Sequence, residues 1–284
     1  MLADTQVLRP GSVDEALAVL AEAAERPTIL AGGTDLMVLQ NAGLLRADQV
    51  VDLWRLDELR GVCSADDGRI WIGALTAFED LIGSELVQEG APALVEAAKT
   101  IGAKQIQSRG TLGGNVANAS PAGDSLPVLL AHGGDVVLQS ARRGRRKVAL
   151  DSFFRAYKEI DLEADELIVG FLLNPAPAGA TSSFRKVGTR LAQAISKVMI
   201  CGIGQLDGEG RIMALRLAAG AVAPVPMRLK NAEASALGKT PAEAASLVQA
   251  AASAEVAPID DVRSNAEYRR EVTGRLAARF VSSL

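Results

Sequence analysis

The segment from Thr28 to Leu36 combines residue types that suit the binding of an anion. An apolar run ends in Gly32-Gly33, and Thr34-Asp35 then opens a new amphipathic segment. Two adjacent glycines leave main-chain N–H groups unshielded by any Cβ, so a ligand can approach the backbone closely. The Thr-Asp pair offers helix-capping oxygens, and the N–H groups of a following helix would point at the same place. The pattern predicts a phosphate-binding turn, and a strand-to-helix turn that merely needs glycine is the alternative.

A second glycine-rich stretch, from Arg109 to Asp124, has the composition of a ligand-binding loop. Four glycines and two asparagines fall within its sixteen residues, yet Leu112 and Val116 are apolar, which is not typical of a solvated linker. Since a buried glycine-rich backbone has many polar groups to satisfy, a polar ligand lying along it would satisfy them. A compact structural loop is the alternative. Asp124 then opens a predicted helix over Ser125–His132.

The bulk composition excludes several classes of protein and of chemistry. The net charge is −4, from 30 basic and 34 acidic residues, which argues against a nucleic-acid binder. No apolar run approaches the ~20 residues that span a bilayer, and the first residues lack a signal-peptide pattern, so we expect a cytoplasmic protein. Two distant cysteines, Cys63 and Cys201, predict neither a disulfide nor an unaided iron–sulfur or zinc site.

His132 is the single histidine of the chain, and we interpret it as a helix-end or packing residue rather than a catalytic one. Because the chain has no other histidine, a Ser-His-Asp triad could use only His132, and histidine-rich metal sites are excluded. We therefore expect no catalytic side chain and no metal ligand, so that the chemistry must come from a group that the chain binds.

The elements that would position the first turn form a small α/β lobe, predicted over residues 1–60. Ser12 and Glu15 have the spacing of a helix capping box, with the serine at the N-cap. A strand, a helix and a second strand are predicted after it over residues 28–31, 35–41 and 49–53.

The elements around the second stretch form a larger lobe, predicted over residues 61–175. Thr76 and Glu79 are interpreted as a capping box, and a buried strand is predicted over 166–173. A hairpin over 135–150 carries five basic residues at its tip, from Arg142 to Lys147, which we expect to be solvated. Docking of a dinucleotide or an acidic partner there is the alternative. No Gly-x-Gly-x-x-Gly opens a helix after the first strand, so a Rossmann site is not supported.

The remaining residues, 176–284, predict an α+β domain of antiparallel strands followed by helices. Three long strands are predicted over 183–187, 196–206 and 211–222. Two helices follow, one opened by a Thr240–Glu243 capping box and one over 264–280. Four arginines around the last helix are interpreted as a solvated face or a subunit contact: Arg263, Arg269, Arg270 and Arg275.

The two glycine stretches together closely resemble the FAD-binding medium subunit of molybdenum hydroxylases, of the xanthine dehydrogenase and carbon monoxide dehydrogenase type. The resemblance rests on Ala31–Leu36 and Gly110–Asp124, and it continues through Phe184–Arg190, Ala194–Val198, Gly220–Pro224 and Glu267–Arg270, so it covers essentially the whole chain. It implies a fold of class α+β: a two-lobed FAD-binding domain, made of a small α/β lobe and a larger α/β lobe, then a C-terminal domain with a three-stranded antiparallel sheet and helices.

The resemblance also implies which residues contact FAD. Asp124 matches a carboxylate on the ribose or adenosine side, with Asn118 nearby, and Ile101 stands where some relatives place an aromatic beside the isoalloxazine. Leu167 and Lys186 match further flavin contacts. The two glycine stretches would lie on the diphosphate and line the cofactor through Ile29, Leu30, Ala31, Gly32, Gly33, Thr34, Asp35, Leu36, Thr111, Leu112, Gly113, Gly114 and Asn115.

The family further implies partners and an electron path. A small [2Fe-2S] subunit and a large molybdopterin subunit would assemble with this chain as a dimer of heterotrimers. Electrons would arrive singly from a cluster, be stored on FAD, and leave to NAD, oxygen or a quinone. A stand-alone flavin- or nucleotide-binding module is the alternative function. The substrate of the whole enzyme would not touch this chain; a purine or another N-heterocycle is the expectation from the resemblance.

Overall fold

The computed structural model of the protein describes residues 5–190 and 193–284; the first four residues of the N-terminal segment considered above lie outside this part. The N-terminal lobe is a three-stranded parallel sheet in the order β1-β3-β2, with two helices. Its elements are β1 (Gln6–Leu8), α1 (Val13–Glu22), β2 (Thr28–Leu30), α2 (Leu36–Asn41) and β3 (Gln49–Asp52). The sequence patterns predict all of these except the short edge strand β1.

Helix α1 begins as predicted, although its capping bonds differ in one detail. The Ser12 hydroxyl accepts a hydrogen bond from the Glu15 N–H at 3.1 Å. The Glu15 carboxylate accepts from the N–H of Gly11 at 2.6 Å, rather than from that of Ser12. Both bonds satisfy donors at the end of the helix that have no partner within it.

The middle lobe is built on a five-stranded antiparallel sheet in the order β4-β5-β10-β6-β7. Its elements are β4 (Val62–Ser64), β5 (Ile70–Gly73), α3 (Phe78–Gly83), α4 (Glu85–Gly90), α5 (Pro92–Thr100), α6 (Lys104–Gln107), α7 (Leu112–Asn118), α8 (Leu126–His132), β6 (Gly134–Ser140), β7 (Gly144–Ala149), α9 (Leu150–Phe153), β8 (Phe154–Ala156), β9 (Glu159–Ile160) and β10 (Glu166–Leu173).

The central strand β10 is buried along its whole length because both faces of the sheet are covered. Ile168 and Phe171 belong to the core beneath helices α3 to α8. Leu167 and Val169 belong to a second core that also contains Leu17 of α1. Since side chains alternate along a strand, one strand serves two cores. The N-terminal and middle lobes therefore share a hydrophobic core across this sheet.

One expectation for the middle lobe is wrong, and another is correct but incomplete. The hydroxyl of Thr76 donates to the carbonyl of Gly61 at 3.1 Å and does not cap a helix. Helix α3 begins two residues later, and the Asp80 carboxylate accepts from the Ala77 N–H at 3.3 Å. The tip of the basic hairpin is exposed to solvent as expected, but Arg143 and Arg146 also form ion pairs, with Asp165 and with Asp161 and Glu166 respectively.

The C-terminal domain contains the three long antiparallel strands that were predicted, and a two-residue strand adds a fourth at the edge of the sheet. One face packs on helices α10 to α12, and the other packs on the middle lobe through residues such as Phe184 and Met199. The elements are β11 (Thr181–Val187), β12 (Val198–Leu206), β13 (Ile212–Gly220), β14 (Met227–Arg228), α10 (Lys230–Ala236), α11 (Pro241–Glu255) and α12 (Ala266–Val281).

The helix signals of this domain are partly confirmed. The Thr240–Glu243 capping box is present, with the Thr240 N–H donating to Glu243 at 2.9 Å. Arg269, however, is not on a solvated face: it is 4% exposed and donates to the Ala221 carbonyl at 2.8 Å and to Asp261 at 2.7 Å. The arginine spacing alone could not show this, because the acceptors come from other elements.

Candidate functional site

A groove of about 420 Å³ lies where the N-terminal and middle lobes meet. The first glycine turn forms one wall and helix α7 forms another. Both walls come from segments that the sequence singled out, since Gly32-Gly33 follows β2 and Thr111 is the N-cap of α7. The groove is therefore the place to look for the predicted ligand site.

Fourteen of the eighteen residues that the sequence assigns to the cofactor line this groove: Ile29, Ala31, Gly32, Gly33, Thr34, Asp35, Leu36, Ile101, Thr111, Gly113, Gly114, Asn115, Asn118 and Leu167. Four do not. Leu30 alternates along its strand with the lining residues Ile29 and Ala31, and Leu112 is fully buried in the middle-lobe core. Asp124 and Lys186 lie in a separate buried cluster.

The first glycine turn presents a run of unused hydrogen-bond donors. Among the described residues, none accepts a hydrogen bond from the five main-chain N–H groups of Gly32 to Leu36. The first helical hydrogen bond is that of the Met37 N–H, which donates to Gly33 O at 3.0 Å. Gly33 has a φ of +79°, a conformation that favours glycine. Successive unpaired N–H groups in such a turn form an anion-binding concavity. The turn therefore offers a set of donors that suits an anion.

The second stretch differs from the first because its main-chain donors are already satisfied. The N–H of Leu112 donates to Thr76 O at 3.1 Å, and that of Gly113 donates to Ala74 O at 2.8 Å. The Gly114 N–H donates to the Thr111 hydroxyl at 3.0 Å. The expectation that a ligand must satisfy this backbone is therefore wrong for these residues.

Close packing explains the glycines of the second stretch. A Cβ on Gly113 would lie 2.6 Å from the carbonyl oxygen of Ala74, and one on Gly114 would lie 2.9 Å from the Thr111 hydroxyl. Both distances are shorter than a tolerable contact, so a side chain at Gly113 would push α7 away from Ala74, and one at Gly114 would displace the hydroxyl of Thr111 that caps the helix. The stretch thereby brings a helix of small residues against the groove.

Much of the groove is apolar, and sequence reasoning missed most of this wall. Its residues come from α3, α6, β10 and three connecting segments, and no local pattern marks them as a group: Leu53, Leu59, Leu75, Phe78, Ile106, Leu162 and Ile168. A flat aromatic ring system suits such a slot, whereas a diphosphate suits the turn beside it. The two halves of the groove thus match the two chemical parts of a flavin dinucleotide.

Arg26 also lines the groove and was not predicted. Its guanidinium donates to the carbonyl oxygens of Glu163 at 2.8 Å, Ala164 at 2.5 Å and Glu166 at 2.9 Å. Burial lowers its pKa, while the nearby carboxylates of Glu166 and Asp165 oppose that shift. Arg26 thus fastens the N-terminal lobe to the start of β10 and to the loop before it, and Leu162 of that loop lines the groove.

Asp124 and Lys186 form a buried ion pair outside the groove. The Lys186 ammonium lies 2.5 Å from one Asp124 oxygen, and the Ser196 hydroxyl donates to the other at 2.6 Å. Thr100 donates to the same carboxylate at 3.2 Å. These contacts commit the polar atoms of Asp124 to protein partners and tie strand β11 of the C-terminal domain to the end of α5.

His132 ends helix α8 and is 3% exposed, which confirms its interpretation as a helix-end and packing residue. Its Nδ1 donates to the Asn174 carbonyl at 2.9 Å. Burial lowers the pKa of His132 to about 4, so the ring is neutral near neutral pH. A neutral, enclosed imidazole here stabilises the join between α8 and the end of β10.

No helix within the described residues is long and apolar enough to cross a membrane. Across the same residues, no cluster of three or more histidine, cysteine, aspartate or glutamate side chains has the arrangement of a metal site.

Comparisons with known families and proteins identify the family of the chain. The family described as "FAD binding domain in molybdopterin dehydrogenase" matches residues 3–174, and the "CO dehydrogenase flavoprotein C-terminal domain" matches residues 182–284. The carbon monoxide dehydrogenase medium chain of Hydrogenophaga pseudoflava is 31% identical over 96% of this chain and 94% of its own length. The putative xanthine dehydrogenase FAD-binding subunit of Escherichia coli K12 is 32% identical, with the same coverage.

Solved structures show the same relationship. Carbon monoxide dehydrogenase from Hydrogenophaga pseudoflava superposes with a TM-score of 0.92 at 32% identity, covering 97% of this chain and 95% of that one. Quinoline 2-oxidoreductase from Pseudomonas putida 86 superposes with a TM-score of 0.86 at 25% identity, covering 98% of each chain.

Proposed function

The chain belongs to the family of FAD-binding subunits of molybdopterin-dependent dehydrogenases, and from this we propose that it relays electrons through FAD between [2Fe-2S] clusters of a partner subunit and NAD or another acceptor. As a member it is an oxidoreductase subunit whose cofactor is FAD. The observation that carries the proposal is the five-donor turn beside an apolar slot. Bound FAD supplies the redox chemistry, and the protein supplies binding, orientation and electrostatics.

The groove residues have distinct parts in holding the cofactor. The N–H groups from Gly32 to Leu36 would hold the diphosphate, while Phe78 and its apolar neighbours would exclude water from the ring system. Ile101 lines the groove and would place an aliphatic side chain beside the isoalloxazine. Arg26 and Asp35 are the charged residues among the described lining.

The names of the relatives support partner chains. They are described as medium chains and FAD-binding subunits, which implies further subunits in those enzymes. We infer that this chain assembles with a small [2Fe-2S] subunit and a large molybdopterin subunit, as a dimer of heterotrimers in the cytoplasm. Relatives of near-equal identity are named for carbon monoxide, xanthine, nicotinate and caffeine, so similarity to this chain does not identify the substrate of the assembled enzyme. A purine or another N-heterocycle stays a prediction.

Reconstitution tests the cofactor part of the proposal. The purified chain should show a flavin absorbance spectrum or take up one FAD per chain when FAD is added. A folded, colourless chain that cannot be reconstituted with FAD would overturn it.

Co-purification separates the proposed function from a stand-alone flavin module. The chain should co-purify with iron–sulfur and molybdopterin chains when it is expressed with neighbouring genes, and a chain that never assembles favours the stand-alone module. The acceptor is tested in the assembled enzyme. Reoxidation of the reduced flavin by NAD under anaerobic conditions would support NAD as the acceptor. Reoxidation only by oxygen or a quinone would overturn that assignment.

A further inference from the structure

Arg109 joins the two walls of the groove at the first glycine turn. Its guanidinium carbon lies 3.6 Å from the centre of the Trp54 ring, on the N-terminal lobe. Its Nε donates to the carbonyl oxygen of Gly32 at 3.4 Å, which is near the outer limit for such a bond. The backbones touch as well: a Cβ on Gly32 would lie 1.6 Å from the carbonyl oxygen of Arg109. One residue of the middle lobe thus meets the N-terminal lobe through both its side chain and its main chain.

We propose that Arg109 is a positioning residue that orients the Gly32–Gly33 peptide for binding the FAD diphosphate. The inference rests on the proposed function of the groove. In a trans peptide the C=O and the following N–H point in opposite directions, because the unit is planar. A guanidinium that holds Gly32 O therefore turns the Gly33 N–H away from Arg109. That N–H has no acceptor among the described residues and belongs to the groove wall.

The hydrogen bond also strengthens the donor that it orients. Hydrogen bonds in a chain polarise one another, so a peptide whose carbonyl accepts from a cation is a better donor at its N–H. No carboxylate within the described residues lies in ion-pair distance of Arg109, so its full positive charge stays beside the turn. The same residue thus sets both the direction and the field of the phosphate site.

The platform under Arg109 is fixed from several sides. Arg60 stacks on the same ring at 4.1 Å and donates to the Trp54 carbonyl at 2.6 Å and to the Leu75 carbonyl at 2.9 Å. Asp52 accepts from the Trp54 N–H at 3.0 Å. An indole held in this way restricts the planar guanidinium to one orientation, which a flexible lysine would not adopt.

Arg109→Ala and Arg109→Lys test the proposal in the full chain, with FAD dissociation constants from titration. We expect Arg109→Ala to raise the dissociation constant for FAD at least tenfold, which corresponds to about 1.4 kcal/mol. Arg109→Lys should lose most of the same factor, because it keeps the charge but not the Nε donor or the planar stack. Arg55→Ala is the matched control: it removes an exposed arginine beside Trp54 and should leave the affinity within about twofold.

A second ligand distinguishes positioning from a general loosening of the fold. Riboflavin has no diphosphate, so its affinity should be unchanged in both variants, and the melting temperature of the FAD-free chain should fall by no more than a few degrees, as expected for the loss of one exposed cation–π contact. Wild-type FAD affinity in Arg109→Lys, or equal weakening of riboflavin and FAD, would overturn the inference while leaving the proposed function intact. A folded wild-type chain without FAD affinity would refute the proposed function and the inference together.

Discussion

Replacing Gly32 by alanine should expel the cofactor while leaving the fold in place. Gly32 lies outside the left-handed region, so alanine adds no backbone strain there. Its Cβ would, however, stand 1.6 Å from the carbonyl oxygen of Arg109 and 2.5 Å from the carbonyl carbon. Both neighbours are backbone atoms, which cannot rotate away as a side chain can. The first turn and the start of the second stretch must therefore separate.

The size of the separation sets the expected loss of affinity. Even the shortest tolerated contact, about 3 Å, requires the walls to move apart by roughly 1.5 Å at this point. A displacement of that size breaks hydrogen bonds to a diphosphate that spans the turn, and each charge-assisted bond contributes about 1.5–3 kcal/mol. Losing two of them corresponds to roughly a hundredfold to ten-thousandfold weaker binding of FAD.

The assay compares FAD content after purification, the dissociation constant for added FAD, and the melting temperature of the FAD-free chain. Gly43→Ala is a suitable control, because it imposes a φ of +69° on alanine at a position with no heavy atom within 4 Å. That variant should be strained but keep FAD. The steric reasoning would be refuted by a folded Gly32→Ala chain that binds FAD within a fewfold of wild type.

Three further predictions concern stability. Lys186→Met should lower the free energy of unfolding in denaturant by about 3–5 kcal/mol, because it leaves the buried Asp124 carboxylate unpaired. The double variant with Asp124→Asn should recover part of this stability, and additive losses would contradict the pairing. Burial holds the pKa of His132 at about 4, below its unfolded value, so the free energy of unfolding of the wild type should fall by up to about 3 kcal/mol as pH falls from about 6.5 to 4. His132→Gln should lose less over the same range, and parallel profiles of unfolding free energy against pH would exclude His132 as the origin. Burial acts to raise the pKa of Glu166, but the hydrogen bonds from Arg146 and from the Glu163 N–H, together with the charges of Arg146 and Arg143, lower it overall. Glu166→Gln should therefore destabilise the chain by about 2 kcal/mol at neutral pH, with a smaller difference in acid; an unchanged denaturation midpoint would contradict it.

Local signals in the sequence predicted the local features of the fold. The Ser12 cap and the Thr240–Glu243 box are correct because each pairs groups only three residues apart. Thr76 has the same local pattern and fails, because its hydroxyl donates to a carbonyl fifteen residues away. Pairing of the basic hairpin with Glu166 likewise depends on which loop folds beside it, and no spacing in the chain reveals that.

The candidate site shows the same division. The glycine turns were predicted because a pair of adjacent glycines can be recognised directly in the sequence, and most of the residues of the two turns do line the groove. Which turn offers free donors was not visible, since the N–H groups of Leu112 and Gly113 are satisfied by Thr76 and Ala74, far earlier in the chain. The apolar wall and Arg26 were missed for a related reason: each belongs to a different element, and only the tertiary fold brings them together.

The hydrophobic core that the two lobes share across strand β10 determines how long the cofactor stays bound. Side chains from both lobes, such as Leu17 and Leu167, lose water together in one cluster, so the walls of the groove cannot swing apart as independent bodies. A dinucleotide laid along the groove can then leave only through opening fluctuations that expose part of this core, and such openings are rare in a stable domain. We expect a residence time much longer than one catalytic cycle, so that FAD behaves as a prosthetic group rather than as a carrier that diffuses between enzymes.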